Sequence, residues 1–297
     1  MDIAVALGGG GARGNAHIGV IRCLEKHGFR IKAVAGTSAG GIIAAFYAAG
    51  FTTEEMEIIY SKVDQSRLYG RSSDDGPGIL GLSYVEKWLG KYFGDKRLEE
   101  LPIKCGLTAV DIKCGQEVVF SSGLVIDAVL ATIAIPGIFP PRMLEGHPLV
   151  DGAVLDPVPV SVARSLAKGL PIVAVALNSA YEDKGHLSSI NLPGPIPRPI
   201  YNRLLRTRLA QAFDIFLSSV DISSQLLTEL RLKIDKPDII IKPDVGHIGI
   251  LDKIDVHQVI KLGEEATNPH IKNLKIISIQ RNSFFIKLKR FIGIISE

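Results

Sequence analysis

Two short segments within the first forty residues have the residue types and spacing that acyl transfer requires. Residues 8–14 read GGGGARG and residues 36–40 read GTSAG. A glycine-rich loop offers backbone N–H groups to a negative oxygen, because no Cβ blocks the approach and the start of the following helix favours negative charge. The pentapeptide suits the sharp strand-to-helix turn on which a nucleophilic serine stands, here Ser38. Arg13 adds a fixed cation that either braces the loop or meets a phosphate.

Each segment also has a plainer reading. Residues 9–14 satisfy GxGxxG, the dinucleotide-binding fingerprint, but that motif expects an acidic residue about 20 positions on. Here the second apolar run ends in Gly36-Thr37-Ser38 instead. Ser38 taken alone is as well suited to capping a helix as to attacking a carbonyl. With the glycine loop upstream, chemistry leads.

A serine nucleophile needs a proton acceptor. The best candidate is Asp151, which ends the apolar run in Leu149-Val150-Asp151-Gly152-Ala153. Aspartates before glycine are commonly turn formers, so the context has to carry the assignment. None of the seven histidines sits in a recognisable catalytic block. His247 and His257 follow Asp151 and formally allow a Ser-Asp-His order, so a triad esterase of another fold is the rival reading. For His17, beside the glycine loop, packing in the first helix is expected.

The elements that must position these residues are legible in outline. Residues 3–7 form an apolar run broken by glycines, which predicts a buried strand, and Ile18, Val20, Ile21 and Leu24 recur at helical spacing up to Gly28. A second strand over about residues 31–35 leads into GTSAGG and a helix through Ala49, giving strand-loop-helix-strand-turn-helix. Farther on, SYVE at 83–86 has the capping-box pattern of a helix start. Residues 66–81 read as an exposed connection that either covers the site or simply links elements. Residues 103–121 predict two strands around a turn, 124–133 a helix, and Pro136, Pro140 and Pro141 a bent passage towards Asp151.

The combination resembles the patatin-like phospholipases, in particular the bacterial branch related to the neuropathy-target-esterase domain. The resemblance rests on GGGGARG at 8–14, GTSAG at 36–40, ATIAIPGIFPP at 131–141 and DGAVLDPVPV at 151–160, and continues weakly through 236–252. It implies a three-layer α/β fold with a central, mostly parallel sheet flanked by helices. It implies a serine lipid acyl hydrolase with a Ser–Asp dyad, transferring to Ser38 as nucleophile and Asp151 as general base. The oxyanion-hole role falls on Gly10 and Gly11, supported by Gly9, Arg13 and Gly14. Asp156 departs from the family, which commonly has asparagine there, and a second carboxylate near Asp151 is expected to disturb its proton equilibrium. A lipid-binding or regulatory protein that keeps the site but turns over little is the alternative from another class.

Composition agrees with an enzyme of one main domain. The chain has 297 residues, 46% of them hydrophobic, and a net charge of only +3. No strongly basic, aromatic-rich motif points to nucleic acid, so none is expected as partner. Cys23, Cys105 and Cys114 have no metal or disulfide spacing; reduced thiols and no cofactor or metal are expected. Residues 33–51 carry no charge, but the strand-turn-helix signal splits them, which makes them core rather than a membrane span. Met1-Asp2 leads directly into the first strand, so a cytoplasmic protein is expected, peripheral at most to the inner face of the membrane.

The domain is expected to cover residues 1–270, with 271–297 a basic, apolar C-terminal extension. That extension holds six Lys and Arg against one acid, interleaved with Phe284, Phe285, Ile286, Leu288, Phe291 and Ile292. Such a mixture suits contact with an anionic membrane or packing on the domain, and the sequence leaves both open. A second stretch, residues 198–208, has four arginines and no acid beside a run of alternating prolines, which reads as a loop entering a helix from about Tyr201.

Overall fold

The computed structural model describes residues 1–177 and 208–291. Among these, the strands are β1 (Asp2–Leu7), β2 (Arg30–Gly36), β3 (Lys104–Asp111), β4 (Gln116–Phe120), β5 (Arg142–Leu144), β6 (His147–Asp151), β7 (Ile172–Val175) and β8 (Ile239–Ile241). They make one sheet in the order β5-β6-β3-β2-β1-β7-β8, with β4 also paired to β3. The five strands from β3 to β8 in that order run parallel, and β4, β6 and β5 add antiparallel pairs at one end.

The helices are α1 (Ala16–Lys26), α2 (Ala39–Ala48), α3 (Thr53–Ser61), α4 (Gln65–Leu68), α5 (Ser83–Phe93), α6 (Val125–Thr132), α7 (Val160–Leu166), α8 (Arg208–Asp235), α9 (Val256–Thr267) and α10 (Ile271–Phe291). They cover both faces of the sheet, and strand alternation explains how. In β1, Ile3, Val5 and Leu7 point into a large core shared with α1, α2, α5, α6 and α9. Ala4 and Ala6 point the other way, where their small size lets Val160, Val162 and Ala163 of α7 come close. Burial on both faces is why these strands read as unbroken apolar runs rather than as alternating ones. The three-layer architecture follows.

Local details refine the sequence reading. The uncharged stretch 33–51 is divided between β2 and α2, and a 3-10 turn (Gly11–Asn15) precedes α1. Helix α5 does start at Ser83, but its start is capped from outside: Asp75 accepts hydrogen bonds from the Leu82 and Ser83 N–H groups and the Ser83 hydroxyl. The loop before α5 is thereby fastened to it. Helix α10 buries Ile271, Leu274 and Ser278, while Arg281 pairs with Asp238 at 2.6 Å and donates to the Leu170 carbonyl at 2.8 Å. Its first turns dock on the domain. The side chains from residue 282 onward, including the apolar residues 284–292, lie outside the described residues, as does the proline-arginine stretch up to residue 207. Among the described residues no helix is long and apolar enough to cross a membrane.

Candidate active site

The glycine loop leaves the end of β1 with its N–H groups unequally occupied. Gly8 donates to Val175 O at 2.9 Å, Gly9 to Pro157 O at 3.0 Å, Ala12 to Ile250 O at 2.8 Å and Arg13 to Gly10 O at 3.2 Å. The Gly10 and Gly11 N–H groups have no acceptor among the described residues. Gly11 has φ +58°, and a Cβ there would run into the Ile250 carbonyl oxygen, so glycine is required twice over. Arg13 is buried and donates through Nε to Ile248 O at 2.6 Å. It braces the loop.

His17 Nε2 donates to the Gly8 carbonyl at 2.7 Å, and burial holds its pKa down to about 4. It is therefore a neutral strut, in keeping with a packing role.

Ser38 stands between β2 and α2 at φ 55°, ψ −128°, a backbone conformation that non-glycine residues rarely adopt and that costs on the order of 1–3 kcal/mol. The neighbours over-determine it. The Ser38 N–H donates to Thr132 Oγ1 at 2.9 Å, and the Thr37 hydroxyl donates to the Asp156 backbone carbonyl at 2.9 Å while lying 2.7 Å from Thr108 Oγ1. At Gly40 a Cβ would collide with the Leu7 carbonyl oxygen, so only glycine lets α2 start this close to β1. With the serine's own N–H committed to Thr132, the free donors nearby are those of the glycine loop.

Strand β3 brings Asp151 to the serine. Gly36 is in register with Leu107, and Asp151 with Ala109, so one strand sets the elbow and the aspartate two residues apart along its length. Asp151 is 3% exposed and accepts the Ala153 N–H at 2.8 Å. Burial pushes its pKa up to about 7, against the pull of the Ser38 hydroxyl and the Ala153 N–H, which favour the charged form. A carboxylate with that value, against a serine hydroxyl, is equipped to take a proton near neutral pH. Asp156 is not among the groups that shift it.

Ser38, Gly11 and Gly14 open onto a cleft whose walls are apolar, among them Ile42, Trp88, Ile133, Ile135, Phe139 and Leu251. His247 and His257 are exposed, neither lines this cleft, and His257 pairs with Glu57. The residues that sequence reasoning passed over are Thr132, which holds the Ser38 N–H, and Ile248 and Ile250, whose carbonyls clamp the loop. The similarity through 236–252 was the available signal for the last two.

A family model described as patatin-like phospholipase matches residues 5–164, more than half of the chain. The chain belongs to the patatin-like phospholipase family. An uncharacterized NTE family protein of Mycobacterium tuberculosis is 37% identical over 181 residues, covering 60% of this chain and 49% of that protein. The lysophospholipase NTE1 of Pyricularia oryzae is 27% identical over 284 residues, covering 88% of this chain and 18% of its own length. The chain thus spans half or less of these relatives. Among solved structures, VipD from Legionella pneumophila superposes with a TM-score of 0.56 at 12% identity, covering 92% of this chain and 66% of VipD, a likeness of fold.

Proposed function

We propose that the protein is a serine acyl hydrolase acting on phospholipids, lysophospholipids or simpler lipid esters through a Ser38–Asp151 dyad. The observation that carries this reading is a strained, buried serine set against a carboxyl whose pKa is about 7, at the wall of an apolar cleft. Family membership and the lysophospholipase name of a relative support the lipid ester class.

In this mechanism Ser38 Oγ attacks the ester carbonyl carbon as its proton passes to Asp151. The tetrahedral oxygen takes hydrogen bonds from the Gly10 and Gly11 N–H groups, each such donor being worth about 3 kcal/mol in comparable sites. Collapse expels the alcohol, which takes the proton from Asp151. Water then attacks the acyl-serine with Asp151 again as base, and the fatty acid leaves. The test is labelling with a fluorophosphonate together with hydrolysis of a lipid panel by wild type and Ser38→Ala. The expected result is one label on Ser38 and turnover that the variant lacks. Release of a single acyl chain without turnover would mark a lipid-binding or regulatory protein instead.

The same reading takes residues 1–270 as the acyl hydrolase domain and 271–297 as an extension that docks through its first turns and meets anionic lipid beyond them. A cytoplasmic protein at the inner face of the membrane goes with it. Removing residues 282–297 should leave the fold and soluble-ester hydrolysis in place while weakening binding to anionic vesicles, each surface cation contributing about 1 kcal/mol at low salt. Removing 271–297 should destabilise the domain as well, because Ile271 and Leu274 leave the core. Unchanged vesicle binding after the shorter deletion would rule out the membrane role.

A further inference from the structure

A second pocket adjoins the Ser38 cleft. Val63, Leu68 and Trp88 line both, so the two share a wall. The second pocket has a volume of about 300 Å³ and opens to solvent. Its remaining lining is of another character: Lys62, Arg67, Lys87 and Lys91 against the one acid Asp64, with Tyr84. Arg67 pairs with Asp64 at 3.5 Å, whereas Lys62, Lys87 and Lys91 have no ion pair among the described residues. On α5, residues 84, 87, 88 and 91 fall at helical spacing and share one face. Lys87 lies over the Tyr84 ring, 5.6 Å from its centroid. Lys62 follows α3 directly, so a third cation comes from a different element.

An apolar cleft that contains the serine and lies against a cationic pocket across Val63, Leu68 and Trp88 has the polarity of an amphiphile. We infer that the pocket lined by Lys62, Arg67, Lys87 and Lys91 binds the phosphate of an anionic lipid headgroup while that lipid's acyl chain occupies the Ser38 cleft. This rests on the acyl hydrolase reading for the chain's orientation and adds the charge class of the substrate. Three unpaired ammonium groups favour a phosphate that carries no cation of its own, such as phosphatidic acid, over phosphocholine.

The chain's single tryptophan, Trp88, stands on the shared wall and reports occupancy by its fluorescence. Ser38→Ala holds lipid uncleaved, so binding is measured apart from turnover. The probe is dihexanoyl phosphatidic acid below its micelle concentration, where no membrane surface contributes. Titration into Ser38→Ala should shift Trp88 emission saturably, and adding Lys87→Glu and Lys91→Glu should raise Kd at least tenfold. Lys87→Gln with Lys91→Gln should give an intermediate loss, with thermal melts establishing that both variants fold. Dihexanoylglycerol, which lacks the phosphate, should bind both forms within twofold. Inorganic phosphate should compete only weakly; competition as strong as that of the lipid would mean a free-phosphate site and overturn the headgroup assignment. Equal affinity for dihexanoyl phosphatidylcholine, or no effect of the charge reversals, would overturn it too. If wild type hydrolyses no ester, the enzyme reading falls while this titration still decides the headgroup site.

Discussion

Asp151 at the end of β6 and Asp156 five residues on are both buried and both pushed up to about 7 by burial before anything else, yet their surroundings differ in kind. Asp151 faces the Ser38 hydroxyl and is oriented by the Ala153 N–H. Asp156 meets no hydroxyl among the described residues: Arg231 and the Val158 N–H favour its charge, and Glu117 and Asp235 oppose it. A raised pKa therefore does not by itself distinguish a base from a structural acid. The proposed assignment rests on geometry: Asp151 has a proton donor within reach, whereas Asp156 contributes its backbone carbonyl, which holds Thr37 beside the serine.

The most severe way to break this contrast is to exchange the roles by mutation. Asp151→Asn and Ser38→Ala should each lower kcat by at least about 10³-fold with the fold retained, whereas Asp156→Asn should stay within about threefold. Steady-state kinetics on a soluble ester, with melting curves alongside, gives the answer. Comparable losses at both aspartates would mean that Asp156 takes part in the proton transfer.

The pH profile sharpens the assignment. Because burial raises Asp151 to about 7, the base form is scarce below that value, and kcat/KM should fall about tenfold per pH unit on the acid side and level off above it. The Asp156→Asn variant should keep the same midpoint. A midpoint that moves with Asp156→Asn would show the two carboxyls titrating as a coupled pair.

How much of this was visible beforehand differs between the two aspartates. The glycine loop, the elbow and Asp151 were legible because each needs particular residues at particular spacings next to an apolar strand. The sheet faces were partly legible, since the alternation of Ile3, Val5 and Leu7 with Ala4 and Ala6 sorts the thick layer from the thin one. The neighbours of Asp156 were not. Glu117 comes from β4 and Arg231 and Asp235 from α8, more than seventy residues away in sequence, and only the folded sheet brings them together. Thr132 is another case: its link to Ser38 spans 94 residues and leaves no local pattern. Thr132→Val should leave the buried Ser38 N–H unpaired, costing about 1–3 kcal/mol of stability and lowering kcat several-fold through a displaced nucleophile. A kcat equal to wild type would mean that the β2–α2 turn holds the serine unaided.

The smallest effect on activity belongs to Asp156→Asn, and stability is where that variant speaks. In the unfolded chain Asp156 titrates near the ordinary 3.8, while in the folded protein it does so at about 7. Between those values the folded state holds a proton that the unfolded state has released, so stability falls as pH rises through this window. The cost of the buried charge is complete only above pH 7. Asparagine removes that ionisation, so the variant's advantage should be smallest near pH 4 and grow to on the order of 2 kcal/mol by pH 8, with Arg231 and the neighbouring acids setting how much is realised. Asp151→Asn has the same sign by the same argument, but loses its activity with it. Melting temperatures of both variants and wild type across pH 4–8 separate the cases. A wild-type advantage that grows with pH would mean that Arg231 stabilises ionised Asp156 more than burial opposes it, and the two aspartates would then differ in electrostatics as well as in partners.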